Sequence, residues 1–66
     1  MNGPPGPPPP VVVVTRYPQG GVDLDINFRD GRPVRRLRFR AGQDPYVEDA
    51  IRYLRDRNAA ITETSG

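Results

Sequence analysis

The residues of this chain that could do chemistry are few, and they cluster. Asp23-Leu24-Asp25 sets two carboxylates two positions apart, and Arg35-Arg36-Leu37-Arg38-Phe39-Arg40, preceded by Arg29 and Arg32, gathers cations at the same spacing. If both segments are strands, side chains alternate faces with period two, so Asp23 and Asp25 project from one side of a sheet, and so do Arg36, Arg38 and Arg40. Paired carboxylates suit a divalent cation or acid–base work, but a hard cation asks for about six oxygen ligands and no third carboxylate is placed nearby. Each Asp also has an expected cross-strand Arg, which engages the carboxylate and competes with a metal. The sequence has no Cys and no His, which removes thiolate nucleophiles, imidazole bases, disulfides and the commonest zinc sites. The hydroxyls of Thr15, Thr62, Thr64 and Ser65 have no imidazole to activate them. Gly20-Gly21 lacks both the following helix and the Lys of a phosphate loop. No enzymatic activity, cofactor, metal or small-molecule substrate is expected.

What remains is a basic surface. Arg36, Arg38 and Arg40 share one face of their strand, and Arg16 joins them if the strand that carries it pairs alongside. Such a face suits a protein partner, a DNA groove of the kind β-sheet readers enter, or RNA phosphates. Asp23 and Asp25 neutralise part of it, no aromatic on that face would stack a base, and the formal charge of +2 is modest. The leading expectation is a small non-enzymatic interaction module for protein docking or self-association. DNA or RNA binding by the basic sheet face is the alternative. The expected partner-binding residues are Arg16, Arg36, Arg38, Arg40, Val12 and Val14.

The elements that position these residues follow from patterning. Residues 1–10 hold most of the prolines and read as a flexible polyproline II arm, a solvated spacer ahead of a folded domain. From Val11 to Tyr17 the chain is β-branched and aromatic, bounded by Pro10 and by Pro18-Gln19-Gly20-Gly21, the pattern of a strand closed by a turn. Its four consecutive valines give it two apolar faces. A second such face and a free edge would let Val12 and Val14 meet a neighbouring chain.

Val22, Leu24, Ile26 and Phe28 alternate with Asp23, Asp25 and Asn27, which predicts a half-buried strand. Asp30-Gly31 is the favoured pair for a two-residue type I′ turn, and a third strand runs from about Pro33 to Arg40. That turn sets the register. Val22 faces Phe39 and Leu24 faces Leu37, while on the other face Asp23 meets Arg38 and Asp25 meets Arg36. Arg35 falls on the apolar side, opposite Ile26. Asp44 as N-cap and Pro45 at the first helical position open a helix over about 45–58, with Val47, Ala50, Ile51 and Leu54 as its buried stripe. Residues 59–66 are a polar tail expected to fray.

The predicted fold is α+β, a two-layer β-β-β-α domain over residues 11–58 with a three-stranded antiparallel sheet and one α-helix packed on one face. In topology alone this order resembles the small sheet-plus-helix DNA-binding domains of some phage-type integrases. A domain this short buries only about 60% of its chain surface, so self-association as a homo-oligomer or a protein partner is expected to supply further burial. Arg stands in place of Lys throughout, which fits a high-GC bacterial or phage source. No apolar run approaches the roughly 18 residues of a membrane span and no signal-like apolar region opens the chain, so a cytoplasmic location without a membrane partner is expected.

Overall fold

The computed structural model describes residues 8–65. The expected proline-rich arm therefore lies outside the described residues, apart from Pro8 to Pro10. Strand β1 is Val11–Arg16, β2 is Val22–Asn27, β3 is Arg35–Phe39, helix α1 is Asp44–Asp56, and β4 is Ala60–Ser65. The strands lie in the order β3-β2-β1-β4. β1 and β3 flank β2 antiparallel, and β4 runs parallel to β1. The protein is thus α+β with one helix and a four-stranded mixed sheet, not the three-stranded antiparallel sheet that the sequence predicts.

The antiparallel part has the derived register: Val22 opposes Phe39, Asp23 Arg38, Leu24 Leu37, Asp25 Arg36 and Ile26 Arg35. The turn between the strands differs from the expected one. Positive φ falls at Arg29 (59°) and Gly31 (92°) and not at Asp30, and the connection spans residues 28–34 rather than two. Two Asx turns shape it. The Arg29 N–H donates to Asn27 Oδ1 at 2.9 Å, and the Arg32 N–H donates to Asp30 Oδ1 at 3.1 Å. Pro33 has no ladder donor, which defers the start of β3 to Arg35. The register survives the different turn because a one-residue slip would turn the apolar set of either strand outward.

The tail expected to fray is β4, and the cause lies at the helix end. Asn58 adopts the left-handed conformation (φ 62°), which Asn tolerates better than most residues. Its N–H donates to the Arg55 carbonyl at 2.9 Å, and the Ala59 N–H donates to the Leu54 carbonyl at 3.1 Å. These are the two bonds of a Schellman cap, which reverses the chain. Ala60 then donates to the Pro10 carbonyl at 2.9 Å, and Ala60–Ser65 zips along β1. At the other end the helix opens at Asp44, with Gln43 rather than Asp44 in the N-cap position. The Gln43 Oε1 instead accepts the Arg40 N–H at 2.8 Å.

β1 is consequently an inner strand with both edges paired. Val12, Val14 and Leu24 are fully buried, and Val22, Ile26, Val47, Ile51 and Leu54 complete the core between sheet and helix. Full burial of such a side chain is worth about 1.5–3 kcal/mol. Val12 and Val14 are therefore core residues, and their expected meeting with a partner is corrected. The opposite sheet face carries no helix, and Val11, Val13 and Thr15 on it are half-buried. Among the described residues no helix is long and apolar enough to cross a membrane.

Candidate functional site

Strand alternation divides the expected arginine cluster. Arg16 is in phase with Val12 and Val14, so it projects on the helix side, where it bridges three elements. Its guanidinium lies 2.9 Å from Glu63 of β4 and 3.4 Å from Glu48 of α1. Hydrogen bonding to Glu63, the larger effect, holds its pKa above the ordinary arginine value. Arg16 thus does not join Arg36, Arg38 and Arg40, and a basic face built from all four is corrected.

On the open face Arg36 and Arg38 stand over Asp25 and Asp23. Arg36 Nε donates to Asp25 Oδ1 at 2.7 Å, which raises the guanidinium pKa further. Arg38 Nε lies 3.8 Å from Asp23 Oδ1. Asp23 is only 6% exposed, and its second oxygen accepts the Tyr17 hydroxyl proton at 2.8 Å. That hydrogen bond, then burial, then the negative charge of Asp23 hold the Tyr17 phenol above its ordinary pKa. Tyr17 reaches this place because the β1–β2 turn is tight. Its N–H donates to Gly21 and its carbonyl accepts from Gly20, both at 2.9 Å. Gly20 has φ 104°, and a Cβ there would come within 2.9 Å of Ala41 Cβ, so only Gly lets this turn meet the Ala41-Gly42 turn that follows β3.

Between those turns opens a depression of about 580 Å³ lined by Tyr17, Asp23, Arg38, Phe39 and Arg40 among others. Arg40 thus stays near Arg38 but beyond the strand end. The carboxylate here is spent on a tyrosine and an arginine, so the arrangement orders the turn and places cations at its rim.

Two features escape a reading of the sequence. The first is the pair of sheet edges that β4 creates. β3 is a guarded edge, five residues with three Arg and Pro33 just before it. β4 has six residues, no Pro and one charge, Glu63, which is engaged by Arg16. Charge, proline and shortness are the usual protections against edge pairing, and β4 lacks them. Only the Asn58 stop and the β-branched Ile61, Thr62 and Thr64 hinted at this strand. The second is charge segregation. Residues 28–40 hold six Arg and one Asp, a local balance of +5 within a chain of +2. Among the described residues Arg29, Arg35 and Arg40 have no carboxylate within 4.0 Å.

No family model, curated protein or solved structure matches this chain.

Proposed function

We propose that the chain is a non-enzymatic interaction module that pairs with a second copy of itself through β4, leaving the Arg-bearing end of the sheet exposed. The unguarded β4 edge carries this reading. The Ala60 N–H points inward to the Pro10 carbonyl, so by alternation the N–H and C=O groups of Ile61 and Glu63 point outward. In an antiparallel two-fold pairing with Thr62 opposite its own copy, Ile61 of each chain opposes Glu63 of the other as a hydrogen-bonded pair. Ala60 then opposes Thr64. Every outward backbone group of that stretch finds a partner, and no like charges meet; centring on Glu63 would oppose two carboxylates.

DNA or RNA binding by the open sheet face has less support. Arg16 lies on the other face, and Arg36 is engaged by Asp25. A labelled random duplex titrated at low and moderate salt tests this alternative through its salt slope.

Sedimentation equilibrium at micromolar concentration tests the β4 pairing. Glu63→Pro removes an outward donor, whereas Glu63→Ala keeps it, and both lose the ion pair to Arg16. Dimerisation of the wild type and of E63A, with a folded monomeric E63P, is the expected result. A wild type that stays monomeric, or an E63P that dimerises as well as E63A, overturns the proposal.

A further inference from the structure

On the helix side of the sheet, cover runs out between α1 and β3. Leu37 and Phe28 continue the apolar alternation yet stay half-buried. Beside them Tyr53 is 56% and Val34 57% exposed. Two depressions of about 290 and 330 Å³ open here and share Phe28 and Arg35. Leu37 and Tyr53 line the first, Val34 the second, and no acidic side chain lines either. Phe28, Leu37, Tyr53 and Val34 are thus apolar side chains that the fold leaves without full cover, interrupted by Arg35.

The rim is cationic. Arg32 lies 4.0 Å from the Phe28 ring centroid and Arg57 lies 3.8 Å from that of Tyr53, so a guanidinium stands over each aromatic wall; that of Arg32 is also paired with Asp30 Oδ2 at 2.7 Å. Arg35 sits between them opposite Ile26, where the apolar alternation calls for a hydrophobic residue. Among the described residues neither Arg35 nor Arg57 has a carboxylate within 4.0 Å. A floor that takes an apolar side chain, rimmed by the two unneutralised guanidiniums of Arg35 and Arg57, is complementary to a ligand that is apolar and anionic at once. Nucleic acid suits it poorly, because the rings that could stack a base are already covered by Arg32 and Arg57.

We propose that this groove docks an acidic amphipathic segment of a partner protein. A Leu- or Phe-like side chain of the segment packs on Phe28, Leu37 and Tyr53, while its flanking Asp or Glu residues meet Arg35 and Arg57. Such pairs at a rim guide encounter and orientation, and the apolar anchor supplies most of the affinity. The groove is separate from β4, so the two docking modes fail or stand independently.

The experiment uses three short fluorescein-labelled peptides: one with Leu and Phe anchors among Glu residues, one with the same anchors among Lys, and one with the anchors replaced by Ser among Glu. Saturable micromolar binding of the first alone, with amide shifts centred on Phe28, Leu37 and Tyr53, is expected. Arg35→Glu, a change at an exposed residue, is expected to weaken that binding about tenfold, and E63P to leave it unchanged. Equal binding of the Lys peptide, binding of the Ser-substituted peptide, indifference to R35E, or no saturation at millimolar peptide overturns the proposal. Tighter binding of dodecanoate or of a random duplex at the same amides also overturns it, by assigning the groove to a lipid or to nucleic acid.

Discussion

Arg36 and Asp25 stand directly opposite each other on the open face of the β2–β3 ladder, with Arg36 Nε 2.7 Å from Asp25 Oδ1. The apolar pair Leu24 and Leu37 occupies the adjacent rung on the other face. Two unrelated demands, burial on one side and charge complementarity on the other, select the same register.

Reversing one member of the pair should therefore expose the register. Asp25→Arg places like charges in opposition and is expected to cost up to about 1 kcal/mol, and adding Arg36→Asp should restore most of it. Urea denaturation of both single variants and the double variant gives the coupling. Two single-site losses that simply add would mean that the ion pair contributes nothing to the ladder.

That rung was legible in the sequence because alternation in two neighbouring segments is redundant information. β4 was not. Ala60-Ile61-Thr62-Glu63-Thr64-Ser65 has one large apolar residue, so no periodicity marks it, and its place beside β1 depends on the direction in which Asn58 turns the chain. The face of Arg16 was equally hidden, since four consecutive valines leave the inward parity of β1 undecided until β2 pairs with it. The β2–β3 connection departs from the expected two-residue turn for a local reason. Asn27 and Asp30 bond nearby backbone N–H groups and produce a longer connection than Asp30-Gly31 alone suggests.

The inner position of β1 makes its even-numbered valines the sensitive ones. Val14→Ala should cost about 2 kcal/mol through lost burial and a residual cavity, whereas Val13→Ala on the open face should cost clearly less. Val12→Lys should abolish cooperative unfolding altogether, because an ammonium would lie unpaired in the core. Thermal melts followed by circular dichroism read all three. A folded V12K would contradict an inner β1.

The Asn58 cap should show a signature specific to the left-handed conformation. Asn58→Gly is expected to be neutral or mildly stabilising, and Asn58→Val to cost about 1–2 kcal/mol, since a β-branched residue resists positive φ. Because β4 follows this cap, N58V should also raise amide exchange along Ala60–Ser65 more than along β2. Uniform exchange changes across the sheet would separate β4 from the cap.

The Tyr17–Asp23 hydrogen bond should make stability fall at alkaline pH. The phenol is held above its ordinary pKa, first by the bond it donates to Asp23. The folded chain therefore keeps the Tyr17 proton more tightly than the unfolded chain does. The stabilisation this confers is complete below the ordinary tyrosine value near 10 and is lost as pH rises through the higher folded value. Ionisation also turns a donated hydrogen bond into repulsion between a phenolate and a carboxylate that is 6% exposed. Tyr17→Phe deletes the titrating group and leaves Asp23 with Arg38 alone, so the wild type should be the more stable protein at neutral pH. Its advantage should shrink as the phenol ionises. Denaturation midpoints of wild type and Y17F between about pH 8 and 11, with the difference in their absorbance titrations isolating the Tyr17 phenol, measure both quantities. A stability gap that stays constant across that range would show that the hydrogen bond does not control this titration.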